Sequence, residues 1–180
     1  MGAKAVLVGV LLALAAGVAA AEQGGAVMAF SLSSGDFEAG QPIPAAFSCD
    51  GVDQSPSLSW SNVPAGTQAF ALICEDPDAP AGTWIHWVAY DIPAAAKGLA
   101  RAVKPIQELP DGTRQGRNDF GRIGYGGPCP PRGKPHHYVF TVYALSRTLP
   151  LAAGARRKDL LAAMRGIVLG QAELIGTYQH

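Results

Sequence analysis

A chain in which every fifth residue is glycine or proline has few places to build a helix. The 180 residues include 22 Gly and 14 Pro with no collagen-like period, and breakers at that density rule out a helical bundle. Apolar residues make up 48% of the chain, too many for disorder, so the breakers must punctuate a packed core. Short strands between turns meet both demands. The length suits one compact domain. Lys plus Arg and Asp plus Glu number 14 each, which leaves no electrostatic footprint for nucleic acid or for an anionic membrane surface.

The N-terminus reads as an address, not as part of that core. Lys4 precedes Val6 to Val18, a charge-free run with four Leu and four Val. Ala19, Ala20 and Ala21 then offer a small-residue cleavage site. The run is short for a membrane span of about 20 residues. Residues 1–21 are expected to be a signal peptide and 22–180 the folded domain, periplasmic or secreted, with no integral membrane span. Such a compartment permits one disulfide among Cys49, Cys74 and Cys129. Cys74 lies in the apolar run 70–74 and is expected to be buried as a small hydrophobe. Cys49 and Cys129 lie in turn-rich loops and are the expected pair. No zinc-type C-x-x-C spacing occurs.

Alternation and turn chemistry place the elements. Met28, Phe30 and Leu32 alternate as on a half-buried strand. Short extended pieces follow at Leu58–Trp60, Phe70–Ile73 and Trp84–Ile92, rich in β-branched and aromatic residues. Residues 94–127 read as Gly-rich loop, and Tyr138–Leu145 as the strongest strand. From about Arg157 the spacing of Leu160, Leu161, Met164, Ile167 and Val168 predicts a helix. Gly170 and Gly176 weaken it, and Leu174–Tyr178 fits a final strand. The expected fold is mainly β, a sandwich of two antiparallel sheets with a short C-terminal helix.

Two loop-strand segments carry the chemistry. In the first, Asp76-Pro77-Asp78-Ala79-Pro80 leads into Trp84-Ile85-His86-Trp87, where Trp84 and His86 share one face of a strand. In the second, the proline-rich stretch 126–135 leads into His136-His137-Tyr138, where His136 and Tyr138 share a face and His137 takes the other. Two imidazoles, a carboxylate and walls of aromatic and proline side chains suit a small anion or phosphate ester. His86 and His136 would donate to its oxygens, with Asp76 orienting an imidazole. Plainer roles compete at the same positions: Trp60, Trp84 and Trp87 as core aromatics, and Asp76 and Asp78 as Asx-turn formers.

The runs DPDAP and WIHW at 76–87, then GYGGPCPPRG and HHY at 124–138, resemble the phosphatidylethanolamine-binding protein family. FSCDGVDQSPSLSW at 47–60 and AELIGTY at 172–178 extend the likeness over most of the chain, which is most similar to the prokaryotic, Raf kinase inhibitor-like branch. The resemblance implies a β-sandwich with an anion pocket at one end, formed by Asp76, Pro80, Trp84, His86, Pro130, Pro131, His136 and Tyr138. Animal members typically read His-Arg-Tyr where this chain has His136-His137-Tyr138, so one basic contact is missing here.

The expected function is therefore exported binding of a small anion or phosphorylated head group, without catalysis, cofactor or metal. Alternatives stand beside it. Loop 126–136 could present itself to a protease, hydrolase or kinase as an inhibitor. Asp76, His86 and His136 have the composition of a two-His, one-carboxylate metal site, and Ser48, Ser55 or Ser57 could serve as a nucleophile in a serine hydrolase. GRIGYGG at 121–127 is no nucleotide fingerprint, because Pro128 stands where a helix would begin. The sequence names no protein partner, and association into a homodimer stays open.

Overall fold

The computed structural model describes residues 1–2 and 28–180. The cleavage site at Ala21 and the apolar run before it lie outside the described residues. Two antiparallel sheets carry the chain. The smaller joins β1 (Ser31–Ser33), β2 (Leu58–Ser61) and β5 (Gly98–Leu99) in that order. The larger orders its five strands β6 (Arg114–Gln115), β4 (Trp84–Pro93), β3 (Ala69–Asp76), β7 (His136–Leu145) and β8 (Val168–Tyr178). One helix, α1 (Arg157–Ala163), precedes β8. The fold is mainly β, as the turn density demands. No helix among the described residues is long and apolar enough to cross a membrane.

The central strand β3 explains its own composition. Phe70, Leu72 and Cys74 point to the cluster shared with Leu32, Leu58 and Trp60 of the small sheet. Ala71 and Ile73, one residue out of phase, join Leu160 and Met164 on the other side. Buried on both faces, β3 reads as a continuous apolar run instead of an alternation. Neighbouring strands repeat the period of two, Phe140 and Val142 of β7 facing the small sheet with Trp87 of β4. Each of these large side chains contributes about 1.5–3 kcal/mol through burial.

Three differences from the sequence reading have local causes. The helix does not run on through Ile167 and Val168. It ends at Ala163, a turn with Gly166 at φ +76° follows, and Val168 already opens β8. The expected strand Leu174–Tyr178 is thus the second half of an 11-residue strand. The Gly-rich stretch 94–127 contains β5 and β6, two residues each, which exist because they hydrogen-bond to β2 and β4. At the N-terminal side only Ser31–Ser33 pairs, and Met28 is exposed.

Register sets the stage for the site. Asp76 closes β3 opposite Trp84, the first residue of β4. Glu75 pairs with Val139 of β7, so the ends of β3, β4 and β7 converge on one edge of the sandwich.

Candidate functional site

A cavity of about 230 Å³ opens at that edge. Strand ends supply Asp76, Trp84, His86, His136 and Tyr138, and the loops supply Pro80, Pro130 and Pro131. The structure thus brings all eight singled-out residues around one space. Ala79, Ala81, Phe120 and Cys129 line it as well; Cys129 was expected only as half of a disulfide, and none of the four was expected to line the pocket. The size suits a head group rather than a long-chain molecule.

Asp76 is buried, and both its oxygens are committed. Oδ1 accepts the backbone N–H of Asp78 at 2.8 Å, an Asx turn. Oδ2 accepts Nδ1–H of His136 at 2.8 Å. The turn-forming and the orienting role therefore coexist in one carboxylate. His137, on the opposite face of β7, donates from its ring Nδ1 and from its backbone N–H to Asp78. The backbone N–H first, then the ring, hold the Asp78 carboxyl below its ordinary pKa.

His86 is buried, and its Nδ1–H donates to the Gly126 carbonyl at 2.6 Å. Burial pushes its pKa down, with the Gly126 carbonyl opposing. The ring sits edge-on to Tyr138 and Phe120, centroids 5.1 and 5.3 Å away. Phe120 stacks its edge against Trp84 at 5.4 Å and lies under the Arg122 guanidinium. Gly126 makes this possible: a Cβ there would come within 2.6 Å of the Phe120 ring. Asp53, at φ +55°, ties the arrangement together by accepting from Gly127 N–H and pairing with Arg122. Within its own stretch Phe120 reads only as part of an Asp-Phe-Gly turn, so its sole signal was a large aromatic among glycines.

Two polar atoms of the site are left over. The Trp84 Nε1–H and the Tyr138 hydroxyl are buried and find no hydrogen-bond partner among the described residues. Burial first, then the nearby Asp76 carboxylate, pushes the Tyr138 phenol far above its ordinary pKa, with the Cys129 backbone N–H opposing. The hydroxyl is therefore a proton donor at any physiological pH. Trp60 and Trp87 behave differently, as core aromatics whose indole N–H groups reach Ala96 O and Gln115 Oε1.

Cys49 and Cys129 are joined, with Cα atoms 5.4 Å apart. Cys74 is a buried free thiol whose pKa burial raises well above the usual range. Ser48, Ser55 and Ser57 do not line the cavity. Ser48 lies beside Tyr178, Ser57 donates to Asp36, and Ser55 accepts the Val103 N–H. Among the described residues, none of the three hydroxyls is hydrogen-bonded to a histidine. Among the described residues, the group gathered to metal-ligand spacing is Cys49, Cys129 and His180, not Asp76, His86 and His136. Its two sulfurs are already bonded to each other.

Comparison with known proteins identifies the family and the fold. The family model described as phosphatidylethanolamine-binding protein matches residues 33–179. A UPF0098 protein of Aquifex aeolicus is 50% identical over 159 residues, covering 87% of this chain and 91% of the relative. The UPF0098 protein YbcL of Escherichia coli is 46% identical over 126 residues, covering 65% and 69%. The crystal structure of E. coli YbcL, described as a member of the mammalian PEBP family, superposes with a TM-score of 0.78 at 36% identity, covering 84% of this chain and 98% of that one. The phosphatidylethanolamine-binding protein homologue CT736 of Chlamydia trachomatis gives 0.77 at 41% identity, with the same coverage.

Proposed function

The chain belongs to the phosphatidylethanolamine-binding protein family, in its prokaryotic YbcL-type branch, and we propose that it binds a small phosphorylated anion in the cavity at 76–138 without transforming it. The observation that carries this reading is the pair of unpartnered donors, Trp84 Nε1–H and Tyr138 O–H. A buried donor left unpaired costs about 1–3 kcal/mol. Two of them lining one cavity are a standing demand for acceptor oxygens, which a phosphoryl group supplies in a tetrahedral cluster. The proline walls favour a preformed shape, so little ordering is required on binding. Export belongs to the same reading, supported by the charge-then-apolar pattern of residues 4–18 and by the disulfide between exposed cysteines.

Calorimetric titration with inorganic phosphate and with phosphoethanolamine tests the proposal, with a His86→Ala variant in parallel. Heat is expected in the parent protein and not in the variant, whose fold is checked by circular dichroism. Absence of heat in the parent would overturn the anion reading. Equal heat in both would put the anion somewhere other than this cavity.

A further inference from the structure

The rim of the cavity carries a second group of reactive side chains that the anion site does not use. Cys49 and Cys129 are both exposed, so their disulfide is open to solvent. The ring of His180 stands over it, with Nε2 3.8 Å from Cys49 Sγ and 4.0 Å from Cys129 Sγ. Its Nδ1–H donates to Asp50 Oδ2 at 2.9 Å. Asp50 is held in turn, because the same oxygen accepts the hydroxyl of Tyr178, the last residue of β8, which lies 2.8 Å from Ser48 Oγ. With Nδ1 committed to a carboxylate, Nε2 is the free ring nitrogen, and it sits against the two sulfurs. A carboxylate, an imidazole and a sulfur in series can move a proton to and from that sulfur.

The loops bearing the two cysteines are also tied without sulfur. Cys49 N–H donates to Pro128 O at 3.0 Å, Gly127 N–H to Asp53 Oδ1 at 2.6 Å, and the Tyr125 hydroxyl to Phe47 O at 2.7 Å. Opening the S–S bond therefore leaves both thiols side by side, ready to close again. Exposure leaves the bridge open to attack by a thiolate, as a buried structural bridge is not, and the retained loop contacts let it close again.

We propose that Cys49–Cys129 is a thiol–disulfide exchange site, with His180 as its proton-transfer group, Asp50 as the positioning residue and a dithiol as its redox partner. A thiolate of the partner attacks Cys129 Sγ, and the Cys49–Cys129 bond breaks as the mixed disulfide forms. The electron pair leaves on Cys49 Sγ, which takes the Nε2 proton from the His180 imidazolium. The partner's second thiol returns a proton to Nε2 and attacks its own sulfur in the mixed disulfide. Cys129 departs as thiolate and takes a proton from water. Two electrons pass from the dithiol to the protein, and the partner leaves as a disulfide. The reverse sequence reoxidises the site.

The test uses the whole folded protein. It is exposed to dithiothreitol in native buffer, quenched at intervals with an alkylating reagent, and its modified cysteines are located by mass spectrometry. Cys49 and Cys129 are expected to become modified together while Cys74, buried in the core, stays protected. His180→Ala should slow that step about tenfold or more, Asp50→Asn should slow it less, and added imidazole should restore the rate to the His180→Ala variant. Modification of Cys74 in step with the other two would overturn the proposal, since reduction would then require global unfolding. So would a His180→Ala variant reduced at the parental rate.

Discussion

A carbonyl oxygen has no proton to give, so the 2.6 Å contact between His86 Nδ1 and Gly126 O fixes the tautomer of that imidazole. The carboxylate of Asp76 does the same for His136. In their neutral forms both rings keep only a bare Nε2, an acceptor, which is the wrong polarity for an anion. Burial holds the His86 pKa below its ordinary value of about 6.5, so the empty protein keeps that ring neutral at pH 7. An anion bound beside it would raise it, so on the proposed reading binding is expected to draw in a proton, either onto an imidazole or with the ligand. A phosphomonoester, whose second pKa is about 6, is expected to be taken up with a proton near neutral pH. Its affinity should fall as pH rises, by up to about tenfold per unit for one proton. Phosphoethanolamine titrations in two buffers of different ionisation enthalpy at about pH 7.5 measure the uptake directly. A proton count of zero with affinity flat from about pH 6 to 8 would contradict this account. The sequence showed which residues meet here, because Trp84 with His86 and His136 with Tyr138 alternate on their strands. Asp76 as the orienting group of an imidazole was legible too, but the tautomer of His86 was not, because it depends on a carbonyl forty residues away.

At the scale of elements, β8 shows where local pattern misleads. Leu160, Leu161 and Met164 do recur with helical spacing, and Ile167 continues the pattern only because the turn after α1 returns it to the same apolar cluster. Gly170 and Gly176 look like helix breakers in sequence, yet both are strand positions under close neighbours. A Cβ on Gly176 would stand 2.6 Å from Ile43 Cγ1 and 2.8 Å from the Phe37 ring, whereas on Gly170 its nearest contact is Pro64 Cγ at 2.9 Å. The segment over Gly176 is fixed to β8 from both sides: Ile43 N–H donates to Thr177 O, and Thr177 N–H to Gln41 O. Gly176→Ala is therefore expected to cost about 1–3 kcal/mol through overpacking, and Gly170→Ala less. Urea denaturation gives the answer as a lowered midpoint with unchanged slope. An undiminished midpoint for Gly176→Ala would mean that Ile43 and Phe37 yield freely. Strands β5 and β6 were illegible for the same reason, since two residues carry no period and the pairing partner lies elsewhere in the chain. Helix α1, β4 and β7 were legible because their periodicity is long enough to declare itself.

For the whole molecule, the site is a product of folding and nothing less. Its walls come from the ends of β3, β4 and β7 and from the loops at 79–81, at Phe120 and at 129–131, brought together only by the register of the large sheet. The motifs at 76–87 and 124–138 announced two halves of a pocket; that the halves face each other follows from β3 lying between β4 and β7. An unfolded chain has no such site, so a ligand of the cavity binds the native state alone. Mass action then dictates a stabilisation of about 2.7 kcal/mol at a free concentration one hundred times the dissociation constant. Urea midpoints measured against increasing phosphate should rise accordingly. Phosphate also favours compact states by exclusion from protein surfaces, and this general effect acts on any variant. The specific part is the difference between the parent protein and His86→Ala at matched phosphate, which should saturate with ligand, whereas exclusion keeps growing with concentration. Parallel, unsaturated rises in the two proteins would reduce the effect to solvent and remove the cavity from it.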